Sequence, residues 1–323
     1  MRHIVFSLCA STAAAAALGA GAAQAADSWP SRPVRIVVAF PAGTPGDTVA
    51  RLIQPALQKA FQQPVVVDNK PGAGGNIGMQ EVARASDGHT VLAGPDTMLT
   101  VNPHLYRKLA FKPLEALVPV TQMASFSQEL VCTPSAGIKT MDQLRAAAKA
   151  APMSYASGGA GVPGHLAMEM LLNQTGMKIQ HVAYKGPSPA MQDIIGGVVP
   201  CGFLASPTVA PLVRDGKLVA IAVSGNQRLA SQPNVPTVAQ TGVKGYDATF
   251  SMVLAMPRGT PASVINQLQT EVKKALADAS VSQRLATLDL EPVANAPEVA
   301  AARLKTESER WAKVAQQINL QLD

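Results

Sequence analysis

An α/β chain folded into two lobes is what this sequence predicts. Three observations carry that reading. Short apolar runs alternate with Gly-rich loops and helix-like segments. The alternation comes as two separate series, one ending near residue 95 and one between residues 129 and 223. A further apolar run and two long helical segments follow the second series. Strand, loop and helix in alternation give a mainly parallel sheet with helices on both faces.

In the first series, Arg35 to Phe40 (RIVVAF) reads as a buried strand and leads into the loop PAGTPGD. The segment from Asp47 to Phe61 has apolar residues at Val49, Leu52, Ile53, Ala56, Leu57, Ala60 and Phe61, which is helical spacing. Asp47 suits its N-cap, and Pro55 is expected to kink or shorten it. A strand at Pro64–Val67, the loop NKPGAGGNIG, a helix from Gly78 to Ala85 and a strand at Thr90–Ala93 follow.

In the second series, strands are expected at Glu129–Thr133, Met153–Ala156, Ile179–Ala183, Val199–Leu204 and Leu218–Val223. Helices are expected at Met141–Ala150, His165–Asn173 and Ala190–Ile195. The chain then makes a strand at Phe250–Met256 and helices at Ala262–Ala277 and Pro297–Ile318, the last opened by Pro297 and capped by Asn295 or Ala296. Strands near 127–133 and 250–256 are expected to cross between lobes. The division is therefore 26–126 with 248–323 for lobe 1, and 127–247 for lobe 2.

The first 25 residues read as a signal peptide. Arg2 and His3 are a short basic start, Ile4–Leu18 is apolar, and Ala23-Gln24-Ala25 is a small-x-small cleavage pattern. The apolar run is short for a membrane span, and Cys9 lacks the small residues that precede a lipid-anchored cysteine. The net charge is +6, and +5 once Arg2 is removed. Its Lys and Arg are scattered, so it reads as a solvated surface with a bias toward anionic solutes. Neither a basic stripe nor a known module points to nucleic acid. Cys132 and Cys201 sit in strand-like apolar runs and read first as buried free thiols. An exported compartment also permits a disulfide, which spacing alone does not decide.

Ligand sites in such sheets lie beyond the carboxyl ends of strands. In the first loop, Gly43 lets the backbone approach a ligand, Thr44 offers a hydroxyl, and the next helix points free N–H groups at the same spot. Asp47 reads either as the N-cap or as a polar ligand contact. Thr97 reads either as a contact or as a plain turn residue. In the second lobe, Ser157-Gly158-Gly159-Ala160-Gly161-Val162-Pro163-Gly164 contains G-x-G-x-x-G between a strand and a helix. The next strand ends without the acidic residue that would hold a ribose, so no dinucleotide cofactor is expected. The same backbone suits an anion, with the Ser157 hydroxyl beside it. Lys185 is the best single cation, or else a solvated loop lysine. His165 and Glu169 are four apart, too few ligands for a metal. G-x-S-x-G, H-E-x-x-H and P-loop patterns are missing, and no nucleophile–base pair marks a catalytic site.

The residues have a collective likeness. WPSRPVRIVVAFPAGTPGDTVAR, QPVVVDNKPGAGGNIG, MSYASGGAGVPGHLAMEM and HVAYKGPSPAMQDIIGG, in that order and spacing, resemble the Bug/TctC-like family of periplasmic solute-binding proteins, receptors of tripartite tricarboxylate transporters. The likeness runs from Trp29 to the terminal helix. It implies a type II periplasmic-binding-protein (Venus flytrap) architecture, two Rossmann-like lobes joined by two crossing strands, and no enzymatic activity. It also implies a small carboxylate held between the lobes through Phe40, Ala42, Gly43, Thr44 and Asp47 of one lobe and Ser157, Gly158 and Gly161 of the other, with Phe203 nearby. Delivery to membrane transport subunits by a monomer is the implied role, and sensing through a membrane kinase the alternative. Leu204 stands where the family often has an acidic residue, and Thr44-Pro45-Gly46-Asp47 departs from the family's Gly-Pro-Thr/Ser-Asp. The family also often has a tryptophan near Phe250, and together these departures imply a ligand other than the commoner carboxylates and a more apolar pocket.

Overall fold

The computed structural model describes residues 29–318 and 321–322. The expected signal peptide lies outside the described residues. In chain order the elements are β1 (Val34–Val38), α1 (Pro45–Phe61), β2 (Val65–Asn69), α2 (Asn76–Ala83) and β3 (Thr90–Pro95). Three helical turns follow, α3 (Thr97–Thr100), α4 (Asn102–Leu105) and α5 (Pro113–Ala116), then β4 (Leu117–Phe126) and β5 (Gln128–Cys132). Next come α6 (Met141–Ala150), β6 (Met153–Ser157), α7 (Pro163–Thr175), β7 (Ile179–Ala183), α8 (Pro187–Ile195), β8 (Cys201–Ala205), α9 (Ser206–Arg214) and β9 (Val219–Val223). The chain closes with β10 (Phe250–Pro257), α10 (Ala262–Ala277), α11 (Ala279–Thr287), β11 (Glu291–Pro292) and α12 (Pro297–Ile318).

Two sheets result. One has the order β11-β4-β10-β3-β1-β2, the other β7-β6-β8-β5-β9. Strands β1, β2 and β3 run parallel, as do β6, β7 and β8, while β4, β5 and β10 are antiparallel to their neighbours. β1 is apolar at four of its five positions (VRIVV) because helices cover both faces of a parallel sheet. On α1, Val49, Ala50, Ile53, Leu57 and Phe61 recur every three or four residues and are buried. Each of these side chains but Ala50 stabilises the lobe by about 1.5–3 kcal/mol.

Pro55 does not shorten α1, one of the two effects expected of it. The helix runs 17 residues through it. Pro55 is on the exposed face, where the carbonyl it leaves unbonded meets solvent. Asp47 is not the N-cap: Thr44 holds that position, with Pro45 at the first helical residue. Cys132 and Cys201 are not free thiols but a disulfide, because β5 and β8 pair with Cys132 directly opposite Cys201.

The crossings also differ from those expected. β5 lies within the second sheet and β10 within the first. The chain passes between sheets at Ser127, between β4 and β5, and again just ahead of β10. A third segment joins them. The Gln128 N–H donates to Ser224 Oγ (2.9 Å), the Ser224 N–H to the Gln128 carbonyl (2.8 Å), and the Ala248 N–H to the Ser224 carbonyl (2.8 Å). Backbone bonds thus tie three passing strands at one point. The final helices return to the first sheet, α10 and α12 both packing on β4, and α12 also reaches α7 of the second lobe. One apolar core runs through the junction, joining Phe126, Leu130, Ala167, Tyr246, Phe250 and Trp311. Among the described residues no helix is long and apolar enough to cross a membrane.

Candidate functional site

Two helices of the facing lobes begin alike. α1 starts Thr44-Pro45-Gly46 and α7 starts Val162-Pro163-Gly164, each with proline at the first helical position. Proline has fixed φ and no N–H, so it opens a helix without wasting a donor. The next two amides, Gly46 and Asp47 in α1, Gly164 and His165 in α7, have no carbonyl one turn back inside the helix. Thr44, Pro45, Gly46, Val162, Pro163 and Gly164 all line one cleft between the lobes, of about 550 Å³ including its open mouth.

The glycines are what allow this approach. A Cβ on Gly164 would overlap the Phe203 carbonyl oxygen of β8. One on Gly46 would stand 3.3 Å from Met252 Sδ and 3.5 Å from the Gly94 Cα.

Phe40, Phe126, Phe203, Leu204, Ala205 and Met252 supply most of the remaining wall, with Gly94, Pro95, Gly158 and Pro187. Polar side chains on the wall are Thr44 and Gln128, and no lining residue is charged. The Thr44 hydroxyl donates to the Pro41 carbonyl at 2.8 Å. Gln128 is 3 % exposed, and its side-chain amide has no hydrogen-bond partner among the described residues. The lobes touch above the cleft: a Cβ on Gly186 would lie 3.4 Å from Pro41 Cγ, and the Tyr106 hydroxyl points at the Ala160 carbonyl at 3.4 Å.

Of the residues singled out from sequence, Phe40, Thr44, Gly158 and Phe203 line this cleft. Ala42 and Gly43 are exposed beside it. Asp47 braces the first loop from behind. Its carboxylate accepts from the Gly43 N–H (2.9 Å), Arg51 Nε (2.9 Å) and Asn69 Nδ2 (3.0 Å). Burial alone would raise its pKa; the bonds from Arg51, Gly43 and Asn69 outweigh that and hold it below the ordinary range. Thr97 is buried at the start of α3. Lys185 is exposed, off the wall.

Ser157 is fully buried and shapes its loop from inside. Its Oγ pairs with His181 Nε2 at 2.7 Å and with the Gly159 carbonyl at 2.9 Å. His181 stacks on His165 with ring centroids 3.9 Å apart, and Tyr155 stacks on His181 at 4.8 Å. The Gly161 N–H donates to His165 Nδ1 at 2.9 Å, and the Tyr155 hydroxyl donates to Glu169 at 2.6 Å. Burial pushes His181 down to about 4, and burial plus the neighbouring His181 push His165 down to about 3, so both are neutral at pH 7. Gly161 itself packs toward Leu105, Tyr106 and Leu322 of the first lobe.

The sequence reading passed over Gln128, Leu204 as a wall residue, Met252 and the Pro-Gly shared by the two helix starts it had singled out. The repeated x-Pro-Gly ahead of a helical pattern was the available signal for the last of these. Nothing local marks Gln128, which reaches the cleft only because β5 leaves the junction there.

Comparison with known proteins agrees with this architecture. The model for the tripartite tricarboxylate transporter family receptor, TctC, matches residues 49–320. Protein BugT of Bordetella pertussis is 34% identical over 311 residues, covering 95% of each chain. Among solved structures, R. palustris Rpa4515 with adipate is 31% identical with a TM-score of 0.87, covering 91% of this chain and 99% of that one. MatC from Rhodopseudomonas palustris with bound malate is 30% identical with a TM-score of 0.83, covering 88% and 99%. The periplasmic binding protein BugD is 30% identical with a TM-score of 0.85, covering 91% and 99%. The family is one of substrate-binding receptors rather than enzymes. Two lobes, a cleft between facing helix starts and a family match across most of the chain lead to one conclusion: this chain belongs to the TctC family of tripartite tricarboxylate transporter receptors, the Bug-type periplasmic solute-binding proteins.

Proposed function

We propose that this protein captures a small carboxylate between its lobes and delivers it to the membrane subunits of a tripartite tricarboxylate transporter. The observation that carries the reading is the opposed pair of helix starts, α1 and α7, facing one cleft from two lobes. Helix N-termini present unpaired N–H groups and partial positive charge, which suit a carboxylate. Adipate and malate in two similar structures support the same class. The lobes divide near residues 127 and 248, and the chain is exported by cleavage near Ala25 and acts as a monomer. Closure is a hinge motion about the Gln128–Ser224–Ala248 junction.

The test is a thermal-shift screen of the mature protein against aliphatic, aromatic and hydroxy carboxylates, with neutral amides as controls. A ligand at about a hundred times its dissociation constant adds about 2.7 kcal/mol. That corresponds to roughly 5 °C for a chain of this size. A shift from an amide with none from any acid would overturn the carboxylate reading.

A further inference from the structure

We infer that the cleft is built for a monocarboxylate with an apolar body, so that a second carboxylate on the ligand weakens binding. This rests on the carboxylate-receptor reading and narrows it.

The argument begins with where the donors are. α1 and α7 each offer two amides beyond their prolines. Gln128 adds a third kind of donor: a side-chain amide, 97 % buried by its exposure of 3 %, unpartnered among the described residues and facing the same cleft. The amide opens on the cleft, where water bonds it and a ligand oxygen can take that water's place. A carboxylate oxygen does so.

The other two helices that reach the cleft are poor in donors. α8 begins Pro187-Ser188-Pro189, so proline removes the N–H at two of its first three positions. α9 begins Ser206-Pro207, and the Ser206 N–H already donates to the Ser127 carbonyl at 3.1 Å. Near those starts the wall is Pro187, Leu204 and Ala205, with Phe126 and Phe203 beside them. The only other polar side chain on the wall, Thr44, directs its proton at Pro41.

One carboxylate therefore finds a set of donors. A second would leave water for a wall of aromatic and aliphatic carbon with no cation on it. A buried carboxylate without partners is strongly unfavourable. An apolar tail in the same place gains by removing its own surface and the wall's from water.

The test compares ligands that share a chain length: hexanoate, adipate and hexanamide, by titration calorimetry on the mature protein. Hexanoate should bind at least tenfold more tightly than adipate. Adipate binding as well as hexanoate, or better, overturns this inference and leaves the carboxylate receptor standing. Silence from both acids overturns this inference; it overturns the carboxylate receptor as well only if hexanamide binds and no acid of the wider screen does. A Leu204→Gln variant adds a donor to the apolar end; once its circular dichroism and unliganded melting confirm folding, the hexanoate-to-adipate ratio should fall several-fold. An unchanged ratio would remove Leu204 from the ligand's apolar end and overturn the inference.

Discussion

Replacing Gly164 by alanine tests the cleft's construction at its tightest point. The added Cβ would overlap the Phe203 carbonyl oxygen, stand 3.1 Å from that carbonyl carbon and 3.3 Å from Gln128 Oε1. The obstacle is backbone of β8, which is hydrogen-bonded to β5 and β6 and has little room to yield. Overpacking of this kind costs about 1–3 kcal/mol. For a chain of this length that lowers Tm by roughly 2–6 °C. Gly46→Ala is the internal control, being the same residue after the same proline at the start of the opposed helix. Its Cβ meets Met252 Sδ at 3.3 Å. A thioether on a flexible stem can turn away, and the gain in helix propensity from glycine to alanine, up to about 1 kcal/mol, is common to both positions. The net change at Gly46 is then under about 1 kcal/mol, by the same two principles. Differential scanning fluorimetry of both variants beside the parent measures the difference. Equal melting of Gly164→Ala and the parent, or a larger loss from Gly46→Ala, would refute the reasoning.

Other outcomes are expected. The Cys132–Cys201 disulfide closes a loop with a sequence separation of 69, which in the loop-entropy account stabilises by about 4 kcal/mol. Reductant or Cys132→Ala with Cys201→Ala should lower Tm by several degrees, and denatured, unreduced protein from the periplasm should show no free thiol by Ellman titration; two thiols would contradict the pairing. Glu129 is buried on β5, and burial, against a hydrogen bond from Gln232, raises it from 4.5 to about 8. The folded state then binds the extra proton between those values, so this group's stabilising contribution is full below pH 4.5 and is lost as pH rises through 8. Glu129→Gln should gain on the parent between pH 5 and pH 8 in melting scans, and parallel curves would exclude this. His181 titrates the other way: burial holds it at about 4, below its ordinary 6.5. Its contribution is present above pH 6.5 and is lost as pH falls toward 4. His181→Gln should flatten that acid limb, and an equally steep limb would count against it.

Much of the fold is legible because apolar runs bounded by turn residues are hard to read otherwise. Met141–Ala150, Ile179–Ala183, Ala262–Ala277 and Pro297–Ile318 stand in the structure with the bounds that periodicity gives them. β4 is not legible in that way. It carries Pro119, Thr121 and Gln122 in LVPVTQMASF, a poor strand pattern by composition. Its polar residues are satisfied from far along the chain: the Thr121 hydroxyl donates to the Asn295 carbonyl, and the Gln122 amide to Ser251. Asn295, expected as a helix cap, binds the Gln122 backbone at 2.9 Å. α9 is hidden by Pro207 and Pro211. At the site, the Gly-rich loops announce themselves, yet the side chain that completes the cleft, Gln128, depends on three segments meeting at one junction. No local pattern encodes a meeting of that kind.

That junction has a bearing on calorimetry. Because one apolar cluster runs from Leu130 and Ala167 through Phe126 and Phe250 to Trp311, beside a smaller cluster in each lobe, unfolding of either lobe exposes part of the other's interior. Heating should give one endotherm with van't Hoff and calorimetric enthalpies in agreement, the signature of a single cooperative unit. A molecule proposed to bend as two bodies should melt as one.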